Sequence, residues 1–469
     1  MTRSVLRAPF AVLLAAAALL LLPGSTAQAK EAPAASPRVR LTAETAKPVL
    51  PAGQKQLTHL KVGLTGFERE DAQKRAPLNL ALVLDRSSSM GGEKIVQARE
   101  AAQLAVRSLR DDDIISLVTF DSVIDVPIPA TRATDRERLC QQIAAIEPRG
   151  NTALFGGVAK GAAELRKFLT RERVNRVLLL SDGQANNGPS TPGELGELGT
   201  SLIKEGISVT TIGLGLGYNE DLMTRLAAAS DGRHAFIEHS DQLAEMFRDE
   251  LGAASAVVAQ RVQVEILCDP GIKPVRVLGR EALVDGQTVT LMLNQLYRGE
   301  EKYVLLEAEV PEGSNGLARD LARVRVSYDN LATHKRDELA ATASVRFSDS
   351  MAEVEAAVNK DVLTATVTQI ATLNNQEAVK LVDQGKLDAA RAKLTENRVY
   401  LLDNARKLGS EELATYSDLN QQDLDVINAG KVNEARKQMK DAAFANQQSQ
   451  GGELKNAARR RTVLPPAKK

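Results

Sequence analysis

The run LNLALVL, residues 78 to 84, is apolar on both faces apart from Asn79. A chain can bury such a run only as a central strand covered from both sides, which points to a parallel sheet. Beyond it the pattern alternates helix and strand. Ile95, Ala98, Ala102, Val106 and Leu109 recur at helical spacing. Residues 114 to 120 read as the next strand and 123 to 128 as an edge strand. Leu139, Ile143 and Ile146 mark a helix; Leu154, Val158, Leu165 and Phe168 mark another. A strand over 177 to 180 precedes Thr191-Pro192-Gly193-Glu194, a capping box with proline in the first turn. Helices bearing Leu195, Leu198 and Leu202, then Leu222 and Leu226, then Leu243, Phe247 and Leu251 are interleaved with strands over 209 to 214 and 234 to 237. The fold class expected is α/β: a Rossmann-like, open, mostly parallel sheet with helices on both faces.

The flanks change period. Leu60, Val62 and Leu64 alternate before this unit. After it come residues 262 to 268, 289 to 293 and 303 to 306, and the alternating Ala322, Val324, Val326 and Tyr328. Asp269-Pro270-Gly271 and Asp285-Gly286 supply turns. These predict an antiparallel β-sandwich whose early strand completes the later sheet, making the α/β unit an insertion. From Ser350 the period is helical again, with Val354, Val358, Val362 and Ile370 on one face. GKLDAARAKL from Gly385 echoes GKVNEARKQM from Gly430, which predicts two related, tetratricopeptide-like helical hairpins. For 469 residues the expected organisation is a signal peptide over 1–29, N-terminal sandwich strands over 30–77, the α/β domain over 78–255, the sandwich over 256–349, helical hairpins over 350–447 and a basic disordered tail over 448–469.

Arg3 and Arg7 precede an Ala/Leu run over 10 to 22, and Ala27-Gln28-Ala29 follows as a cleavage pattern. This predicts a cleavable signal peptide and an extracytoplasmic protein, periplasmic or secreted. An uncleaved anchor is the alternative. No cysteine follows the run to carry a lipid, and no later stretch is apolar and long enough to span a bilayer. Cys140 and Cys268, the only two cysteines, read as small buried hydrophobes in different domains rather than as a disulfide. Sixty basic residues balance sixty acidic ones and tryptophan is absent, so nucleic acid is not an expected partner.

In DRSSSM, Asp85, Ser87 and Ser89 stand two residues apart directly after the first central strand. Asn151-Thr152-Ala153 opens a helix, and Ser181-Asp182-Gly183 ends the strand VLLL. All three stretches lie where open α/β sheets bind ligands, at the carboxyl ends of strands. Two carboxylates and three hydroxyls, with no soft donor, suit a hard cation: Mg²⁺, with Mn²⁺ or Ca²⁺ as alternatives. Hydroxyls are neutral, so an ion held by them stays electrophilic and can accept a carboxylate from another molecule.

DRSSSM resembles the DxSxS motif of von Willebrand factor type A domains, with GNT and SDG as their second and third loops. Asp85, Ser87, Ser89, Thr152 and Asp182 occupy all five positions of that family's metal-ion-dependent adhesion site. The resemblance implies that the serines and threonine contact the metal and that the aspartates act largely through water. The wider layout resembles bacterial YfbK-type proteins, related to inter-alpha-trypsin inhibitor heavy chains and calcium-activated chloride channel regulators. It implies a cation-dependent protein-binding or adhesion protein that captures a partner's Asp or Glu; the C-terminal helices are candidates for a second partner or for self-association. Arg86, Met90, Asn151, Asn186, Asn187 and Tyr218 are the candidate partner-binding rim. His234 and His239 read as surface histidines rather than zinc ligands. A metal-assisted hydrolase is the competing class, but it needs a general base, and no histidine lies on the three loops. A scaffold with a stabilising metal is the third. No enzyme activity is expected. Such a site requires the five donors to converge without a basic side chain closing their pocket.

Overall fold

The computed structural model describes residues 38–67 and 75–448. The expected signal peptide and the basic cluster Arg459 to Arg461 lie outside the described residues. No helix among the described residues is long and apolar enough to cross a membrane.

Strands β1 (Val39–Thr45), β2 (Val49–Pro51) and β3 (Gln56–Gly66) come first. The α/β unit comes next: β4 (Leu78–Asp85), α1 (Glu93–Ser108), β5 (Ile114–Phe120), β6 (Ile124–Arg132), α2 (Arg136–Ala144), α3 (Leu154–Arg166), β7 (Val174–Ser181), α4 (Pro192–Glu205), β8 (Ile207–Leu214), α5 (Glu220–Ala229), β9 (His234–Ile237) and α6 (Leu243–Ser255). Its sheet runs β6-β5-β4-β7-β8-β9, parallel except for the edge strand β6. Every residue of β4, β5, β7 and β8 is buried, as unbroken apolar runs require. Side chains alternate between two cores. One packs against α1, α2 and α6, the other against α3, α4 and α5. Helix α4 starts on the expected capping box, Thr191 Oγ1 accepting from Glu194 N and Glu194 accepting from Thr191 N.

The chain then forms β10 (Val257–Cys268), β11 (Lys273–Leu278), β12 (Leu283–Asp285), β13 (Thr288–Tyr297), β14 (Glu301–Val310), β15 (Ala318–Asn330) and β16 (Lys335–Ser348). A sheet of order β1-β3-β14-β11 faces one of order β12-β13-β10-β15-β16-β2. Leu60, Val62 and Leu64 of β3 share one core with Val262, Val264 and Ile266 of β10. The α/β unit is thus inserted between two strands of one sandwich. The sandwich is not wholly antiparallel, because β2 pairs in parallel with β16. Cys140 and Cys268 are buried free thiols in different cores.

Helices α7 (Met351–Ala356), α8 (Lys360–Asp383), α9 (Leu387–Leu408), α10 (Glu411–Asn428) and α11 (Val432–Gln447) complete the chain. The single face drawn through Val354, Val358, Val362 and Ile370 does not exist. Helix α7 stops at Ala356, and Asn359 caps the next helix, its Oδ1 accepting from the N–H groups of Asp361 and Val362 at 3.1 Å. The two echoed stretches do occupy equivalent places, at the turns α8–α9 and α10–α11. Gly385 (φ 72°) and Gly430 (φ 78°) adopt the left-handed conformation that closes each preceding helix. The N–H of Lys386 then reaches Leu381 O, and that of Lys431 reaches Val426 O.

Candidate metal centre

The strand order places the site. Successive strands leave β4 in one direction to β5 and β6, then resume on its other side at β7. The carboxyl ends of β4 and β7 therefore flank the switch point of the sheet, where a crevice must open. Asp85 ends β4 and Ser181 ends β7. Ser181 Oγ donates to Asp85 Oδ2 at 2.5 Å, and Ser87 N donates to Asp85 Oδ1 at 2.8 Å. That second bond turns the chain so that Ser87 Oγ and Ser89 Oγ lie 3.0 Å apart. Ser89 Oγ donates to Asp182 Oδ1 at 2.7 Å. Thr152 is locked to the third loop: its N–H donates to Asn186 Oδ1 (2.9 Å), and its carbonyl accepts from Asn186 N and Asn187 N. The loops meet at Gly183. A Cβ there would lie 3.0 Å from Thr152 Oγ1 and 3.5 Å from Asp85 Oδ2, inside the space the donors share. The structure thus brings Asp85, Ser87, Ser89, Thr152 and Asp182 into one cluster. Among the described residues no three His, Cys, Asp or Glu side chains gather to form an alternative metal site.

The electrostatics are lopsided. Asp85 is fully buried and no lysine or arginine among the described residues pairs with it. Burial pushes its carboxyl up to about 6, and the Asp182 charge adds to this. The hydrogen bonds from Ser181 and Ser87 oppose the rise. Asp182 does have a cation: Lys94, from the first turn of α1, places its ammonium on Asp182 Oδ2 and lies 3.4 Å from Ser89 O. This is the kind of basic side chain that would close the pocket if it sat at the centre. It engages one carboxylate and remains 37% exposed, so it stands at the pocket's edge. The donor set accordingly fits a small hard cation: two carboxylates face a single ammonium, and one of them has no counter-charge at all.

The expected rim is rearranged. Met90 is fully buried under the serine turn, and Tyr218 is 1% exposed. The Tyr218 ring lies against Gly213, where a Cβ would come within 2.2 Å of it, and is stacked on Phe236. Neither residue can meet a partner. Arg86 points away from the crevice, with Nε on Asp121 Oδ2 (2.7 Å) and Nη2 on Asp125. Its backbone ties two loops together, Arg86 N donating to Phe120 O and Arg149 N to Arg86 O. Arg86 is therefore a brace, not a rim residue. Asn151, Asn186 and Asn187 are exposed at the lip. His239 is exposed, but His234 is buried, bonded to Thr211 Oγ1 (2.8 Å) and the Tyr218 hydroxyl (3.3 Å). It is a core histidine rather than a surface one.

Two contributors, Asp121 and Lys94, belong to no motif. Asp121 comes directly after β5, and its Oδ2 receives both Arg86 Nε and Arg149 Nε while Ala153 N donates to its carbonyl. Its place at a strand's carboxyl end was the available signal. Lys94 lies five residues beyond Ser89, and nothing local marks its reach. Leu216 is exposed on the β8–α5 loop beside Tyr218.

Residues 79–249 match the von Willebrand factor type A domain family. An uncharacterised protein of Synechocystis is 26% identical over 293 residues, covering 60% of this chain and 68% of that one. YfbK of Escherichia coli is 25% identical over 217 residues, 46% of this chain and 38% of its own. Inter-alpha-trypsin inhibitor heavy chain H3 of Rattus norvegicus is 30% identical over 165 residues, 33% of this chain but 18% of its own. The match thus spans well under half of the last two proteins. Among solved structures, a von Willebrand factor type A protein from Catenulispora acidiphila superposes with a TM-score of 0.67 at 18% identity, covering 80% of this chain and 89% of the other. At that identity the likeness concerns the fold, and its extent takes in more than the α/β unit.

Proposed function

We propose that this chain, whose residues 79–249 form a von Willebrand factor type A domain, is a divalent-cation-dependent protein-binding protein that captures a partner through an Asp or Glu side chain. Asp85, Ser87, Ser89, Thr152 and Asp182 are the residues that would hold the ion, Mg²⁺ by their hard oxygen chemistry. The ion would supply one electrophilic coordination position for a partner's carboxylate. The observation that carries the reading is Asp85: a fully buried carboxylate without a cationic partner among the described residues, at the floor of a crevice, held by the Ser181 hydroxyl and the Ser87 N–H beside Thr152. Two hydrogen bonds offset part of the cost of burying this charge, and a cation in the cluster would offset the rest.

The chain's own residues do the rest. Ser181 and the Ser87 N–H orient Asp85, Asn186 fixes the Thr152 loop, and the Arg86–Asp121–Arg149 brace holds the first two loops in register. The site offers little to a hydrolase. His234 is enclosed and its ring nitrogens are bonded, and both carboxylates of the cluster are engaged by neighbours. With the targeting pattern at Arg3, Arg7 and Ala27 to Ala29, the partner would be met outside the cytoplasm as an adhesive contact. The test is a pull-down from an extracytoplasmic fraction with Mg²⁺ or with chelator, using the wild type, Asp85→Ala and Thr152→Ala. Capture that needs Mg²⁺ and both side chains is the expected result. Capture indifferent to chelator and to both substitutions would sink the proposal.

A further inference from the structure

Resting on that reading, we infer that Leu216 is the specificity contact of the metal site and that the partner presents its carboxylate beside a bulky apolar residue. The loop from β8 to α5 runs along the metal loop and is pinned to it. Gly217 abuts the Asp182 carbonyl, which a Cβ would approach to 3.0 Å. Gln184 Nε2 donates to Gly217 O at 2.6 Å, and Asn219 N donates to Gly183 O at 3.4 Å. On the other side, Gly215 (φ 71°) donates its N–H to Ile237 O at 2.7 Å, and a Cβ on it would lie 4.0 Å from Lys94 Nζ. Tyr218 turns inward. Of residues 215 to 218, two are glycine and one is buried, so Leu216 is the single side chain this loop sends outward.

Leu216 is 47% exposed. A lone exposed leucine is ordinary and usually means nothing. This one is flanked by backbone that is tied down on both sides, Gly217 packed on the Asp182 carbonyl and bonded by Gln184, and Gly215 bonded to Ile237 O. Much of the remaining lip is polar or cationic: Asn151, Asn186 and Asn187, with Lys94 and Arg149; Val123, 55% exposed beyond Ser122, stands on the opposite, β5–β6 side. An acidic residue fits the cations and the ion. The apolar contact Leu216 offers on the Asp182 side fits an apolar neighbour, which would also exclude water from the carboxylate contact.

The experiment selects a phage-displayed random peptide library on the immobilised full chain in Mg²⁺ and elutes with EDTA, using the wild type, Leu216→Ser and Asp85→Ala. The wild-type pool should be enriched in Asp or Glu flanked by Leu, Ile, Met or Phe. Leu216→Ser should keep the acidic enrichment and lose the apolar one about tenfold, the scale of one apolar contact. Asp85→Ala should give no EDTA-released pool. Mg²⁺ titration of Leu216→Ser should match the wild type, which separates lost specificity from a damaged site. Acidic enrichment without apolar neighbours, or apolar enrichment unchanged in Leu216→Ser, overturns this inference and leaves the metal reading standing. An empty EDTA pool from the wild type overturns both.

Discussion

Lys94 sits where an incoming cation must compete with it. Its ammonium contacts Asp182, while Asp85, Ser87 and Thr152 stay clear of it. A divalent ion at the cluster would meet this charge nearby, and a half-exposed ammonium on a four-carbon stem can swing into solvent. Solvent screening keeps the repulsion to about 1 kcal/mol, well below a buried pair's. Lys94→Gln should therefore bind Mg²⁺ roughly five- to tenfold more tightly by calorimetry, at about 1.4 kcal/mol per decade. Unchanged or weaker binding would show that Lys94 helps the ion rather than rivals it. The same neighbourhood shows what one sequence can and cannot reveal. The five donors were legible because each loop's chemistry is local: an aspartate after an apolar strand, hydroxyls at alternate positions, a turn at Gly183. The rim was not. Met90 is buried in the core that α1 shares with the sheet, Tyr218 by β9, and Arg86 is drawn aside by Asp121 after β5 and Asp125 of β6, all consequences of tertiary packing rather than of local spacing.

Among the elements, the strands of the α/β unit were legible because burial on both faces leaves an unbroken apolar run. The break between α7 and α8 was missed because valines at 354, 358 and 362 keep helical spacing through it; only the capping role of Asn359 marks the stop. The parallel pairing of β2 depends on a long-range partner and has no local signal. Element geometry also sets a pH dependence. Asp113, in the turn before β5, ties that turn to the start of β4. It accepts from Arg75 Nη1 (2.8 Å) and Nη2 (2.5 Å), Leu78 N (2.7 Å) and Arg110 N (2.7 Å). Burial alone would raise its carboxyl, but these donors outweigh it and hold it below the usual aspartate value. The stability this gives is present above the unfolded value of about 3.9 and is lost as pH falls through the lower folded value. Asp113→Asn should cost about 3 kcal/mol at neutral pH, since it strips Arg75 of a buried partner. Urea midpoints from pH 7 down to 3 should show that deficit shrinking in the acid range. A deficit constant with pH would mean that the Asp113 charge plays no part.

Across the whole molecule, α11 locks the helical bundle onto the far edge of the α/β sheet. Lys437, with its side chain 4% exposed, reaches over the Tyr218 ring at 4.1 Å and donates to Tyr218 O at 2.7 Å and to Glu220. Arg436 joins Glu220, Asp221 and Asp383, and so links α5 to α8 as well. Burial pulls the Lys437 ammonium below the usual lysine range, with Glu220 resisting, whereas Lys437 and Arg436 together outweigh burial and hold the Glu220 carboxyl below its usual range. Tyr218 and Glu220 bracket Asn219, whose N–H donates to the carbonyl of Gly183, next to Asp182. The bundle therefore bears on the same short loop that borders the Asp85–Asp182 cluster. Lys437→Met leaves Glu220 buried and half-neutralised, and should cost about 3 kcal/mol or more. Adding Glu220→Gln should recover part of that loss, because both charges are then gone. Hydrogen exchange should rise in residues 432 to 447 and also in 215 to 222, while β4 and β7 stay protected. If the double variant is no more stable than the single one, Glu220 is not the partner that matters. If exchange rises in the bundle alone, the β8–α5 loop is held by the sheet and not by α11, and the two ends of the molecule act independently.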